Sequence, residues 1–183
     1  GLLLHASVVY MGLLKALTPL SIKEFLKGIG QAQLLAFSTS SSGATLPVTM
    51  KCAEEKLGVS KEVSSFVLPL GATINMDGTA LYQAVAAVFI AQASSIELTL
   101  AAQITIVFTA VLASIGTAAV PGAGIVMLIV ILEAINVPGE GIALILGVDR
   151  ILDMCRTVVN VTGDSTVATI IAASENQLDP PSG

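Results

Sequence analysis

Long apolar runs, each closed by a small cluster of polar or helix-breaking residues, organise this 183-residue chain. Gly1 to Leu17 is apolar and stops at Thr18-Pro19, because proline disfavours helix in the residue before it. Ser21 to Phe37 reads as a helix that becomes apolar towards its end, and it runs into the serine cluster Ser38 to Ser42 and then Gly43. A second helical stretch follows from Thr45 to about Leu57. Neither reaches the ~20 apolar residues that a bilayer crossing needs, so the pair predicts a re-entrant hairpin. Val63 to Ala93 is long enough to span, but the polar run NMDGT, Asn75 to Thr79, interrupts it. Leu98 to Leu112 is short again, meets the glycine-rich tip SIGTAAVPGAG, Ser114 to Gly124, and returns as Ile125 to Ile135. Gly141 to about Ala173 predicts a last long helix, broken near NVTGD, Asn160 to Asp164. From Ser174 the chain is polar and ends in DPPSG, which predicts a disordered tail.

These pieces pair up. A hairpin with the tip STSSSGATLP precedes a helix interrupted at NMDGT, and a hairpin with the tip SIGTAAVPGAG precedes a helix with NVTGD. Both tips run from small residues to a proline and back into an apolar helix. Both polar runs have Asn first and Gly fourth. Interrupted hydrophobic segments at corresponding places in two repeats point to a binding site at the membrane midplane of a secondary transporter. The competing reading is a glycine-rich helical bundle with ordinary kinks.

Composition agrees with a membrane setting. Hydrophobic residues make up 54% of the chain and charged ones only 11%, where a soluble domain carries about a quarter. Glycine, alanine, serine and threonine are abundant, which suits closely packed membrane helices. A net charge of -5 argues against nucleic acid as a partner. Cys52 and Cys155 show neither metal spacing nor a disulfide framework. Gly1 to Leu17 lacks the marks of a signal peptide, and the chain is expected to begin inside a membrane helix. All the lysines, Lys15, Lys23, Lys27, Lys51, Lys56 and Lys61, lie in the first third, which predicts that the base of the first hairpin faces the cytoplasm.

The chemistry concentrates in the last helix. At about 100° per residue, Asp149, Asp153, Arg156, Asn160 and Asp164 fall within one stripe about 80° wide. Ionised groups at membrane depth cost at least ~2.5 kcal/mol each, so they face a protein interior and find partners. A buried ion-pair network that only holds helices together is the plainer alternative. Unwound backbone at NMDGT and NVTGD would free carbonyl oxygens for a hard cation such as sodium, with Asn75, Asp77, Asn160 and Asp164 as further oxygen donors. The starts of the return helices, after Ser42 and Gly116, suit a carboxylate.

Together STSSSGATLP, GATINMDGTALYQ, ASIGTAAVPGAG and DRILDMCRTVVNVTGD resemble the dicarboxylate/amino acid:cation symporters, the excitatory amino acid transporter family, with the closest likeness to its prokaryotic members. The resemblance runs from Gly1 to about Glu175. It implies an all-α membrane protein: an elevator-type transport domain over 1–175, with two re-entrant hairpins, two broken transmembrane helices and inverted repeats. Within it, 1–17 would end the sixth transmembrane helix, 21–57 form the first hairpin, 63–93 the seventh helix, 98–135 the second hairpin and 141–173 the eighth helix. Residues 176–183 would be a disordered tail, and the N-terminal scaffold helices would be missing.

The same resemblance implies roles. Asp153 would hold the substrate's amino group and Arg156 its side-chain carboxylate, a task for which guanidinium is suited. Thr79, Thr157 and Asn160 would hydrogen-bond the substrate, and Ser41 and Ser42 would receive the α-carboxylate. Ile115, Gly116, Thr117, Ala118, Ala119, Val120, Pro121, Gly122, Ala123 and Gly124 would form the gate. Gly71, Asn75, Asn160 and Asp164 resemble one sodium site, and Thr73, Met76, Ser114, Ile115 and Thr117 a second. A third would use Asn75 and Asp77. Ser40 stands where some archaeal members have arginine, with Arg150 in the last helix, and Gln83 stands where proton- and potassium-coupled eukaryotic members have glutamate.

The function so implied is symport of aspartate or glutamate with sodium ions or protons, in a bacterial or archaeal inner membrane, by a homotrimer in contact with lipid. No enzymatic activity or cofactor is expected beyond the coupling ions. A C4-dicarboxylate carrier is the nearest alternative, but Asp153 suits an ammonium group that such substrates lack. A neutral amino acid carrier would leave Arg156 unpaired. An intramembrane hydrolase would need a base beside its serine, and the only histidine, His5, is remote in sequence; it is expected to be a packing residue. A binding or structural module without transport is the remaining alternative.

Overall fold

The computed structural model describes residues 1–179 and is built of helices. Helix α1, Leu2–Leu17, contains a π-helical stretch at His5–Tyr10. Helix α2, Ile22–Thr39, starts at a capping box in which the Ser21 hydroxyl accepts from the Glu24 backbone and the Glu24 carboxylate accepts from the Ser21 backbone. Helix α3 is Ser42–Cys52, continued by a π-helical turn at Ala53–Leu57. Helix α4 is Lys61–Ile74 and α5 is Asp77–Ala93. Helices α6, Leu100–Ile115, and α7, Ala123–Ala134, are followed by a 3-10 turn at Gly139–Leu144 and by α8, Leu146–Ser174.

Helices α2 and α3 pack as an antiparallel pair joined at Ser40 and Ser41, and α6 and α7 form a second pair. The tips of the two pairs meet: the Ser41 hydroxyl donates to Ala119 O at 2.7 Å and the Gly43 amide donates to the same oxygen at 3.2 Å. The NMDGT interruption is real. Asn75 and Met76 leave helical geometry, with φ -112° and -110°, and separate α4 from α5.

The break expected at NVTGD is absent. Helix α8 continues through Asn160–Asp164 without interruption. Hydroxyls along it close on the carbonyl one turn back, Thr157 on Asp153, Thr162 on Val158, Ser165 on Val161, Thr166 on Thr162 and Thr169 on Ser165. Gly163 serves a close approach there, not a kink, since a Cβ on it would meet the Tyr10 Oη at 2.5 Å. Gly78, by contrast, lies in the first turn of α5, where the helix has only just begun.

Apolar packing gathers in two main clusters, both threaded by α8. One joins α5, α6 and α7 around Ile90, Ile106, Leu128 and Ile131, with Ile145 and Leu152 beside it. The other joins Leu14, Phe25, Ile29, Leu57 and Leu68 to Ala168 and Ala172 near the far end of α8. The buried polar residues of α8, Asp153 to Asp164, lie between them along the helix. Outward faces of α6 and α7 expose Leu100, Ile104, Phe108, Leu112, Val126 and Val130. Helices apolar on both faces suit burial or lipid contact. Among the described residues one stretch, Lys61–Ala93, is long and apolar enough to cross a bilayer.

Part of the expected disordered tail is bonded. Val59 pairs with Leu178, the Ser60 amide donates to Gln177 O, and the Asp179 amide donates to Gly58 O; residues 180–183 lie outside the described residues. Ser60 also caps α4 by accepting from the Val63 amide, while its hydroxyl donates to the Gln177 side chain. Ser60→Ala is therefore expected to lower stability by about 1 kcal/mol, read from thermal unfolding in detergent; an unchanged midpoint would leave the cap without weight.

Candidate functional site

Arg156 is the centre of the buried polar region and is 1% exposed. Its Nε donates to Asp153 Oδ1 at 3.0 Å, and its Nη2 and Nη1 lie 2.9 and 3.2 Å from Asp153 and Asp149 oxygens. Neither terminal nitrogen aims an N–H at those oxygens well enough to form a hydrogen bond. Close charges compensate each other here, yet donors of the guanidinium fork stay free. Its flat face lies 3.9 Å from the centre of the Tyr82 ring, and the Tyr82 hydroxyl donates to Asp149 at 2.7 Å. Tyr82 thus holds the ion pair from below, a cation–π contact added to a hydrogen bond. Helix periodicity placed Asp149 on the stripe but gave no sign of Tyr82, which comes from α5, 67 residues away.

Asp153 joins this group to the second tip. Its Oδ2 accepts from the Gly122 amide at 2.9 Å. Gly122 has φ +77°, a conformation glycine adopts freely, and it is the residue before α7. The carboxylate at the start of the second return helix is therefore the protein's own. On the other side, the Gly78 amide donates to Asn160 Oδ1 at 2.8 Å and Asn160 Nδ2 donates to Thr79 at 3.1 Å. Asn160 ties the start of α5 to α8.

A small cavity, about 20 Å³, lies among these groups. That is room for about one water. Ser42, Thr79, Asp153 and Asn160 line it, with Ser40, Met76, Gly124 and the second-tip residues Thr117 to Val120. Of the residues expected to bind substrate, Ser42, Thr79, Asp153 and Asn160 thus share one space, and Arg156 stands just behind Gly124, where a Cβ would lie 3.5 Å from its Cζ. Ser41 is engaged by the opposite tip, and the Thr157 hydroxyl by its own helix. Gln83 Nε2 donates to Gly124 O at 2.9 Å and steadies the first turn of α7.

The expected ion ligands fall into separate groups. Asn75 Nδ2 donates to Asp164 Oδ1 at 2.9 Å, and a Cβ on Gly71 would lie 2.6 Å from that same oxygen. Gly71, Asn75 and Asp164 are one cluster, one turn of α8 below Asn160. Asp77 points elsewhere: its Oδ2 is 3.1 Å from His5 Nε2 and accepts from the Tyr10 hydroxyl at 3.0 Å. His5 is thus more than a packing residue, because it pairs with a carboxylate at the break, and no local pattern could have shown it. Thr73, Ser114 and Thr117 donate their hydroxyls to Leu70, Val111 and Ala113 carbonyls of the segment preceding each. Met76 is buried and Ile115 is 46% exposed.

A helical protein with two antiparallel helix pairs, one interrupted helix and a buried arginine among carboxylates is the class that fold and site define. The sequence profile of the sodium:dicarboxylate symporter family matches residues 1–174, and the chain belongs to that family, whose members are transporters and not enzymes. It is 51% identical over 171 residues to excitatory amino acid transporter 1 of Homo sapiens, covering 93% of this chain and 32% of that protein. It is 48% identical over 180 residues to excitatory amino acid transporter 2 of Homo sapiens, covering 98% of this chain and 31% of that protein. It is 49% identical over 180 residues to excitatory amino acid transporter 4 of Rattus norvegicus, covering 98% and 32%. The chain therefore spans about a third of the length of these relatives. All three are mammalian, so the bacterial or archaeal membrane expected from the motifs gains no support from them.

Proposed function

We propose that this chain carries the substrate site of a symporter for acidic amino acids, aspartate or glutamate, coupled to sodium ions. The observation that carries the reading is Arg156: a fully buried guanidinium whose terminal N–H groups are not hydrogen-bonded, beside a cavity walled by Asp153. A ligand with a carboxylate for the fork and an ammonium for Asp153 satisfies both. A C4-dicarboxylate would bring Asp153 no ammonium, and a neutral amino acid would bring the fork no second carboxylate beyond Asp149 and Asp153.

Each group then has a task. Arg156 pairs with the side-chain carboxylate, Asp153 receives the ammonium, and Ser42, Thr79 and Asn160 supply hydrogen bonds. Asp153 must release Gly122 or share its remaining lone pairs, so ligand binding and the position of the second tip are linked through one carboxylate. Residues Ile115 to Gly124 act as the gate. Sodium, as co-transported cargo, is held by Gly71, Asn75, Asn160 and Asp164, and in a second set by Thr73, Met76, Ser114, Ile115 and Thr117; Asp77 with Asn75 serves a third. Both hairpins are re-entrant, and the domain moves as an elevator against a trimeric scaffold in the lipid bilayer.

Sodium is favoured over protons as the driving ion, on the oxygen-rich cluster at Asn75 and Asp164 and on Gln83, which is uncharged. Uptake of radiolabelled aspartate into liposomes by the protein carrying this chain, with sodium and proton gradients varied separately, tests this. Uptake is expected to follow the sodium gradient, and aspartate affinity to rise with sodium, because ion and substrate favour the same closed tip. Equal uptake with and without sodium, driven by a proton gradient, would overturn the coupling.

A further inference from the structure

Tyr10 and His5 of α1 meet at Asp77, and neither has a task in the reading above. The π-helical stretch His5–Tyr10 sets them side by side. At about 100° per residue an α-helix would turn positions five apart roughly 140° away from each other, whereas a π-helix bonds residue i to i+5. Here the two rings stand edge to face, with centroids 4.7 Å apart. Tyr10 is 4% exposed. Its hydroxyl donates to Asp77 Oδ2 at 3.0 Å, and His5 Nε2 lies 3.1 Å from the same oxygen. A carboxylate only accepts, so both groups are donors. Gly163 of α8 makes the room: a Cβ there would meet the Tyr10 Oη at 2.5 Å and its Cζ at 2.8 Å. The other oxygen of Asp77, Oδ1, takes no hydrogen bond from the described residues, and the side chain is 41% exposed.

We propose that Tyr10 is a positioning residue for sodium at Asp77, with His5 as its partner: their O–H and N–H bonds to Oδ2 fix the carboxylate so that Oδ1 is the oxygen presented to the ion. The assignment rests on the reading of Asp77 as a sodium ligand given above. Hydrogen bonds made from behind orient a ligating carboxylate and tune its hold on the ion. Packing alone does not account for the Tyr10 hydroxyl, because phenylalanine would fill the same slot without a buried polar group to satisfy. Nor does packing account for two donors converging on one oxygen while the other is left open. On this reading α1 belongs to the ion site although it carries no ligand itself.

Tyr10→Phe and Asp77→Asn, singly and together, test this in the protein carrying this chain. L-aspartate binding is measured by calorimetry across a range of sodium concentrations, with unfolding followed in the same detergent. Tyr10→Phe is expected to raise the sodium concentration at half-maximal binding about tenfold, the scale of losing a hydrogen bond behind a ligand, while the aspartate Kd at saturating sodium stays near wild type. His5→Gln, which keeps a donor, should retain more of the sodium affinity than His5→Leu. On the Asp77→Asn background Tyr10→Phe should add nothing, because residues that act through one group are not additive. An unchanged or lowered sodium requirement in Tyr10→Phe, a full added loss on Asp77→Asn, or a change confined to the melting temperature would each overturn the assignment. Should Tyr10→Phe fail to fold, His5→Leu set against His5→Gln reads the same contact. If Asp77→Asn itself leaves the sodium requirement at wild type, the reading of Asp77 as a ligand falls, and this one with it; a raised requirement there beside an unaffected Tyr10→Phe sinks only this one.

Discussion

Arg156→Cys is expected to abolish aspartate and glutamate binding while leaving a small neutral amino acid less affected. Truncating one partner of a buried, hydrogen-bonded charge pair costs about 2–5 kcal/mol, roughly 30-fold to several thousandfold in Kd at 1.4 kcal/mol per decade. The same change strips Asp149 and Asp153 of their counter-ion and leaves the Tyr82 ring bare, and breaking a buried pair lowers stability by about 3–5 kcal/mol. Folding must therefore be read alongside binding. Arg156→Lys keeps the charge but lacks the planar fork, so it should fold better than the cysteine variant and still bind aspartate poorly. A folded Arg156→Cys protein with wild-type aspartate affinity would remove this residue from the site.

The second large effect concerns the approach of α5 to α8. A Cβ on Gly78 would lie 2.6 Å from the backbone oxygen of Arg156, 2.9 Å from Asn160 Oδ1 and 3.1 Å from the Arg156 Cα. Two of those atoms belong to a helix backbone and cannot swing aside. Gly78→Ala must therefore push the start of α5 away, stretching the Gly78–Asn160 and Asn160–Thr79 bonds. A loss of about 3 kcal/mol is expected, at the upper end for overpacking, together with weakened aspartate binding. Gly12→Ala is the control, since nothing lies within 4 Å of a Cβ there, and it should be neutral or slightly stabilising. Equal melting temperatures for the two variants would show that α5 and α8 are not so close.

Much of this arrangement could be read from the chain because it is local. The two hairpins follow from short apolar runs turning at small residues, the break at Asn75 and Met76 from a polar cluster inside an apolar segment, and the shared face of Asp149, Asp153, Arg156, Asn160 and Asp164 from helical periodicity alone. The reading failed where it trusted likeness between motifs. NVTGD resembles NMDGT in its Asn and Gly, but its glycine admits Tyr10, and hydroxyls around it bond back along the same helix. What stayed hidden was tertiary. His5 reaches Asp77 across 72 positions, Tyr82 reaches Asp149 across 67 and Ser41 reaches Ala119 across 78. Periodicity carries no information about such pairs.

The back-bonded hydroxyls of α8 bear on how the chain is made. Hydropathy counts every Ser and Thr of this helix as a cost, and α8 does not qualify as a membrane span by that measure. Five of those hydroxyls already satisfy themselves on their own helix. What remains is the stripe of Asp149, Asp153, Arg156, Asn160 and Asp164, which only neighbours can cover, and Arg150, which is exposed near the start of the helix. Chains emerge N-terminal end first, and α8 comes after the helices that cover it: α1, α2, α3, α4 and α5. This polar helix is thus made after the helices that line its slot. A version of this chain permuted to make α8 first would present that stripe to lipid alone, and its insertion should fail at that step.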